Sequence, residues 1–549
     1  MLEVRTNGLT HRTTQSPSDM PALVRRTGCA DLIVDGKPFI ALAGEVHNSS
    51  ASDLSYMEHV WDRLQALNCN TAIVPVYWEL LEPIEGQFDF TLVNGLISGA
   101  RKRNLRLVLL WFATWKNSYS TYAPAWVKTN IDRFPRTQDS LGENTGMISA
   151  WSDEARDADA RAFASLMGHI RAVDADHSTV LMVQIENEAG VLSMPRDYSR
   201  PAELAFNSSV PDKMARYLAA EENSLHPVLY RSWQEAGAKK RGTWTEIFGD
   251  MADEALMCWQ IASYVDHIAA AGKAEYDLPM FVNAWLVQHP GQKAGSYPSG
   301  GPVSQTIDIW RCAASSIDFL APDIYIDGFA GVCAEYASYG NPLFIPEAKR
   351  DNSCPAHALY AIAEHDALGF APFGIESIGS APAMAITGPV AEASLATPET
   401  SDASLLASTY ALLAELMPVI VEHRGTGQMR GLLEAARCSD RFNFDRCVAR
   451  IKYDPAGDDC APAGGLIVAL SDYEFLVAGF RLSVSFESRF PDTNHTAILE
   501  HTQGSYCDGR WISSRRLNGD EMGIHLGPHP EVRRIKLYDW PRFGHSVVE

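Results

Sequence analysis

The chain has 549 residues, 46% of them hydrophobic, and a formal net charge of −22 at pH 7. That length predicts a large domain with an accessory one, and the apolar content suffices for a buried core. The acidity argues against nucleic acid or an anionic membrane as partner, since either requires a basic face, and it suits a neutral or cationic ligand.

Residues 1–25, rich in Thr, Ser, Pro and Arg, read as an N-terminal arm. No signal-peptide h-region is visible there, which favours a cytoplasmic location. No run of about 18 apolar residues stands out anywhere, so no spanning helix is expected. From about residue 30 the sequence alternates short apolar runs with stretches of helical periodicity. The predicted strands are FIALAGEVH (39–47), TAIVPVYWE (71–79), LRLVLLWF (105–112), VLMVQIENE (180–188), PMFVNAWL (279–286), IDFLAPDIYI (317–326), PLFIPEAK (342–349) and GFAPFGIES (369–377). Amphipathic stretches such as DLSYMEHVWDRLQALN (53–68) and LVNGLISGARKRN (92–104) lie between them. Near-continuous apolar strands, each followed by a helix, indicate a parallel sheet buried on both faces. Eight such units point to a (β/α)8 TIM barrel over residues 26–425, with a doubly wound open sheet as the competitor. After the helical stretch 404–424 the texture changes to two-residue alternation, as in GGLIVALSDYEFLVAGFRLSVSFES (464–488). Residues 426–549 therefore read as a smaller C-terminal antiparallel β-domain.

Ten cysteines at irregular positions form no C-x-x-C pair, and they read as buried free thiols. GTGQMRG (425–431) follows a helix rather than a strand, so it is no dinucleotide loop, and H-E-x-x-H, Walker A and G-x-S-x-G motifs are absent. Neither a metal site nor an organic cofactor is expected.

In a (β/α)8 barrel the active site lies at the C-terminal ends of the strands. Those ends carry Glu45 and His47, Tyr77 to Glu79, the WFATWKN segment, Glu186 to Glu188, Asn283 and Trp285, Asp323 and Tyr325, Glu347 and Lys349, and Glu376. Carboxylates, amides and aromatic rings together suit a sugar, whose hydroxyls want hydrogen bonds and whose C–H face wants an apolar plane. Glycoside hydrolysis needs two carboxyl groups flanking the bond. Glu188 and Glu347, on strands four and seven, are the candidates. Strand alternation would turn Glu186 and Glu188 to one side, so a twist or bulge is required for Asn187 and Glu188 both to face a substrate. Structural roles compete: Lys349 and Arg350 are ready ion-pair partners for Glu347, Glu186 reads as structural, and Glu82 is expected to pair with a buried base. Trp78 and Trp111 are core by default, and only Trp115, beside KNSYS, is a good sugar platform.

GEVHNSS (44–50), CNTAIVPVYWELLEPIEGQFDF (69–90) and VQIENEAG (183–190) resemble, in order and spacing, the signatures of glycoside hydrolase family 35 β-galactosidases. The later VAGFRLSVSFES and GRWISSRRLNGDE are similar to the C-terminal β-domain of a shorter bacterial and fungal subgroup. The resemblance implies a retaining exo-β-galactosidase acting on an oligosaccharide or other galactoside. It matches Glu188 to the acid/base, Asn187 to the neighbour that contacts the sugar 2-hydroxyl, and Glu347 to the nucleophile. Two departures stand out. Asn48 replaces a usual Tyr, and Ala113-Thr114-Trp115 replaces A-E-W, so a carboxylate that grips galactose is missing. Glu45, His47, Asn117, Asn187 and Tyr325 are expected to line the sugar subsite, with Trp115 as its aromatic wall, Tyr325 bonded to the nucleophile and Asn117 compensating for Thr114. A retaining glycosidase or transglycosylase for a β-glucoside or glucosaminide stays open, as does a non-catalytic carbohydrate-binding barrel. A homo-oligomer is compatible with all of these.

Overall fold

Buried apolar runs dictate the centre of the molecule. The structure is a computed structural model that describes residues 20–379, 403–435, 439–455, 461–507 and 509–542. Eight parallel strands form a closed barrel: β1 Ala41–Glu45, β2 Thr71–Tyr77, β3 Arg106–Lys116, β4 Val180–Asn187, β5 Met280–Trp285, β6 Phe319–Ile324, β7 Ile345–Ala348 and β8 Gly369–Pro372. Closure is made by β8 pairing with β1 through Gly369↔Ala41 and Phe370↔Leu42. Every residue of these strands is buried except Arg106 and Trp285. That accounts for the absence of polar alternation along them. Closure excludes the open doubly wound sheet.

The longer helices on the outside are α1 Leu54–Ala66, α2 Thr91–Lys102, α3 Asp153–Asp174, α4 Ala252–Glu275, α5 Cys354–Glu364 and α6 Ala403–His423. Asp53 caps α1 by accepting the Tyr56 N–H at 2.9 Å, and Ser152 caps α3 by accepting that of Ala155 at 3.2 Å. Contrary to the sequence expectation, α6 is long and apolar enough to cross a membrane by length and composition. Here its apolar side chains pack inward, and its Tyr410 hydroxyl reaches the carbonyls of Ala43 and Phe370 at 2.9 and 3.1 Å.

The arm is shorter than predicted, because Ala22–Arg26 is a strand paired with Cys29–Val34, which in turn pairs with Lys37–Phe39. Residues 1–19 lie outside the described residues. Arg424, just past α6, is buried and ties this small sheet to the barrel. It reaches Asp31 (2.9 Å) and the carbonyls of Ala30 (2.8 Å), Asp366 (2.6 Å) and Ala367 (3.0 Å).

The antiparallel strands that follow form a six-stranded and a four-stranded sheet. Period-two alternation sorts their residues. Leu466, Val468, Leu476 and Ala478 join the barrel core, while Ile467, Phe475 and Val477 join a second core between the sheets. The larger sheet can lie against α5 because Gly431 and Gly464 carry no side chain. A Cβ there would come within 2.7 Å of the Tyr360 carbonyl and 2.5 Å of Ala356. The eight described cysteines are free thiols, and Cys438 and Cys460 lie outside the described residues.

Candidate active site

The ends of β3 and β4 leave regular strand geometry together. Glu186 (φ 59°), Glu188 (φ 45°), Asn117 (φ 50°) and Ser118 (φ 70°) all take left-handed backbone conformations. A non-glycine residue pays about 1–2 kcal/mol for this, so four at one place are held by their surroundings. The β3–β4 register shifts between Trp111 and Lys116, the irregularity that the tripeptide Glu186–Glu188 required. Alternation is broken, and the two glutamates part. The Glu186 carboxylate lies behind the wall, accepting the N–H groups of Thr114 (3.2 Å) and Trp115 (2.6 Å). Asn187 and Glu188 turn to the mouth, where Asn187 Oδ1 receives Asn283 Nδ2 at 3.1 Å and the Glu188 N–H donates to Asn283 Oδ1 at 2.9 Å.

Around the mouth five strands contribute charge. The Glu188 carboxylate accepts the Asn117 side-chain amide. Glu347 accepts the Tyr325 hydroxyl at 2.5 Å on one oxygen, while its other oxygen is buried without a hydrogen-bond partner. Asp323, beside Glu347 in the β6–β7 register, receives Asn283 Nδ2 at 2.7 Å and comes within hydrogen-bonding reach of Glu188. Glu45 from β1 is buried with one oxygen unpartnered. Lys116 from β3 is buried too, its ammonium 5.1 Å from the centre of the Phe112 ring. Burial and the charge of Glu347 push Glu188 up to about 7, and both hold Glu45 and Asp323 well above the carboxylate range. Burial pulls Lys116 down, but Glu347, Glu188, Glu45 and Asp323 outweigh it, so its pKa ends above the ordinary value. The mouth is thus a set of carboxyl groups that cannot all be ionised, facing one ammonium. Other polar atoms there lack partners as well, among them Asn187 Nδ2 and Glu376 Oε2. Carboxyl and amide groups gathered at one mouth offer hydrogen bonds to a ligand that carries hydroxyls.

Glu45, Asn117, Asn187, Glu188, Tyr325 and Glu347 are brought together. His47 sits at the rim beside β8, its N–H donating to Glu376 at 3.1 Å, its ring nitrogen 2.9 Å from Ser377 Oγ and its ring edge-on to Phe373. Trp115 is not a wall of the pocket. The bulge sends its indole behind β3, against Tyr264 of α4 at 4.6 Å, with Nε1 donating to the Ile148 carbonyl. Thr114 also faces backward, to Asp159 (2.6 Å) and Tyr264 (3.0 Å). Its lack of a carboxylate therefore leaves no gap in the mouth itself. The partners of Glu82 are the Trp78 indole N–H (2.8 Å) and the Gly86 N–H (2.7 Å) rather than a buried base. Lys349 pairs with Asp351 at 3.2 Å, and Arg350 donates to the carbonyls of Phe373 and Gly374, so neither makes the ion pair that would have given Glu347 a structural role. Lys116, Asn283 and Asp323 also face the mouth; the sequence reading set them at strand ends but gave none of them a role. The available signal was a charge inside an apolar run, Asp323 in FLAPDIYI and Lys116 closing RLVLLWFATWK, where burial is costly without a use. Among the described residues no group of three or more His, Cys, Asp or Glu side chains could hold a metal ion.

A sequence profile described as β-galactosidase, of glycoside hydrolase family 42, matches residues 51–236, and one for a domain of unknown function matches residues 406–527. The first is a β-galactosidase family, but not family 35, whose signatures the sequence resembles. A β-galactosidase of Xanthomonas manihotis is 30% identical over 169 residues, covering 28% of this chain and 25% of that protein. The chain thus spans about a quarter of the curated relative it matches. Among solved structures, a β-galactosidase from Bacillus circulans sp. alkalophilus is similar with a TM-score of 0.46 and 15% identity, over 69% of this chain and 57% of the other. The catalytic domain of a β-amylase from Paenibacillus polymyxa gives 0.44 and 14%, over 62% and 93%. The barrel itself is read from its strand register.

Proposed function

We propose that this chain is a retaining exo-glycosidase of the family 35 type that releases terminal β-linked galactose from an oligosaccharide or other galactoside. One observation carries the reading: Glu188 and Glu347 face the same barrel mouth from β4 and β7, near enough for Glu347 to raise the pKa of Glu188, while Tyr325 and Asn117 hold one each. A carboxyl group pushed up to about 7 by burial and a neighbouring charge is poised as a general acid near neutral pH. The β-galactosidase match over residues 51–236 supports the same chemistry.

In the first step Glu347 attacks the anomeric carbon and forms a glycosyl ester. Glu188 gives its proton to the departing oxygen as the glycosidic bond breaks. Glu188, now ionised, takes a proton from water, whose oxygen attacks the anomeric carbon and frees Glu347. The Tyr325 hydroxyl orients the nucleophile, and Asn187, with a free Nδ2, is set to meet the sugar 2-hydroxyl.

Proton NMR of a nitrophenyl β-galactoside digest tests the mechanism. The β-anomer is expected first, with the two carboxyl groups about 5–5.5 Å apart in a ligand complex. An α-anomer first, or a separation above about 6.5 Å, would sink the double displacement. A second reading is a β-glucosidase or glucosaminidase, favoured by Lys116 standing at the mouth while position 114 turns away from it. Rates on nitrophenyl β-galactoside, β-glucoside and β-glucosaminide separate the two. No turnover of any of them would return the chain to a carbohydrate-binding role.

A further inference from the structure

Behind the mouth lies a second pair of carboxyl groups that the proposed mechanism does not use. Asp159, on α3, and Glu186, on β4, are both buried and lie within hydrogen-bonding reach of each other. Asp159 accepts the Trp111 indole N–H at 2.8 Å and the Thr114 hydroxyl at 2.6 Å. Glu186 accepts the N–H groups of Thr114 and Trp115 at 3.2 and 2.6 Å. These donors come from β3, within the stretch where its register slips. Immediately beyond that stretch Lys116 and Asn117 enter the mouth, the Asn117 N–H donating to the Asn187 carbonyl at 3.1 Å and its side chain to Glu188.

We propose that Glu186 and Asp159 share one proton and act as positioning residues, pinning the β3 bulge so that Asn117 and Lys116 are aimed at Glu188. Two carboxyl groups in contact and away from water do not both ionise. The protonated one donates to the other, and the four oxygens keep their acceptor capacity for β3. The two backbone N–H groups that a bulge strips from the β-ladder are then satisfied by Glu186. In the Glu-Asn-Glu that ends β4, the first glutamate thus fixes the neighbouring strand, while the amide and the second glutamate face the mouth. The inference rests on the glycosidase reading only where it assigns Glu188 a proton to transfer.

The test compares Glu186→Gln with Asp159→Asn. Glutamine has one acceptor oxygen where β3 presents two N–H groups, so the bulge loses an anchor. Asparagine at 159 can donate to Glu186 in place of the shared proton, so Glu186 keeps both of its backbone bonds to β3, and the Thr114 hydroxyl that loses an acceptor there still has Tyr264 at 3.0 Å. For Glu186→Gln, kcat is expected to fall at least tenfold with KM within threefold, and for Asp159→Asn kcat is expected to fall less than threefold. Loss of the Asn117 amide, which favours ionised Glu188, should also raise the Glu188 pKa by about one unit. That shift moves the alkaline limb of kcat upward. Besides Asn117, the groups facing Glu188 are Glu347, Lys116, Asp323 and Glu45; none is substituted, and a retreat of Lys116 with the loosened bulge raises the Glu188 pKa in the same direction.

Carboxyl infrared titration, with Glu188→Gln identifying the band, reads the same shift without any turnover, so it holds even if no glycoside is cleaved. Should Glu186→Gln fail to fold, Glu186→Asp, one methylene too short to reach both N–H groups, takes its place. A Glu186 variant that leaves both the Glu188 titration and kcat at wild-type values overturns the proposal. So does an Asp159→Asn loss as large as that of Glu186→Gln.

Discussion

The barrel mouth and the C-terminal sandwich are built on opposite rules. Between the two sheets, Phe475, Val477, Ile467 and Ile535 pack an apolar core, and the buried Arg533, two residues before Ile535, is paired with Glu531 at 2.7 Å. In the mouth, Glu45, Glu188, Asp323 and Glu347 are buried together, and several of their oxygens have no donor. The sandwich buries apolar surface and pairs Arg533, whereas the mouth crowds four carboxyl groups around Lys116. Stability and activity should therefore respond to different substitutions, since a site kept ready for a ligand is held at a cost in stability.

The sharpest break would come from Glu347→Gln. Turnover is expected to fall by about 10⁴ or more, the scale of losing a catalytic nucleophile, while the thermal midpoint stays at or above wild type because a buried charge has gone. Steady-state assay alongside a melting curve checks both halves. The reverse pattern is expected of Phe475→Ala, which should cost about 3–5 kcal/mol of stability and leave KM within twofold, read by denaturant unfolding and kinetics below the transition.

A smaller effect is expected from Lys116→Met. Lys116 lowers the pKa of Glu188 and of Glu45, so its removal lets both rise further. Glu188 then stays protonated to higher pH, and the alkaline limb of the rate profile moves upward from near 7. A downward move would mean that the ammonium does not act on the acid.

The smallest effect concerns pH and stability. Glu188 is pushed up to about 7 in the folded protein, against about 4.3 in an unfolded chain. Across that window the folded state holds a proton that the unfolded state has released. Stability from this group is fully present below about 4.3 and is lost as pH rises through about 7. Glu45 and Asp323, also raised, act in the same direction. The protein should melt lower at pH 8 than at pH 6, and Glu188→Gln should flatten part of that slope in calorimetry.

The barrel strands were legible because a strand buried on both faces must be apolar along its whole length, as TAIVPVY and VLMVQI are. Helices α1 and α2 showed their periodicity, and the sandwich its alternation. What failed was the end of β3, expected at Phe112 and found at Lys116, so that Trp115, read from its polar neighbours KNSYS, belongs to the strand. Alternation from Trp111 cannot say where Trp115 points once the strand slips register before Lys116. The same slip concealed Lys116 as a charge in the mouth. The bulge at Glu186–Glu188 could be inferred, since two polar neighbours had to face one way, but its counterpart in β3 left no such trace. Asn283 was placed at its strand end but its role was not, because an amide bridging Glu188, Asn187 and Asp323 is defined by three separate strands. The arm was overextended because ALVRR, though polar at its end, gains a partner in Cys29–Val34.

Arg424 has a consequence for anyone who shortens or rewires the chain. Its guanidinium takes half of its anchors from Asp31 and the Ala30 carbonyl, and the rest from Asp366 and Ala367 before β8. A truncated chain that begins at the first barrel strand keeps all eight strands yet strips a sealed cation of the carboxylate bonded to it. Orphaning one partner of a buried ion pair costs about 3–5 kcal/mol. The minimal excisable catalytic unit therefore begins before residue 30, and a trimmed version would need Arg424 exchanged for a neutral side chain at the same time.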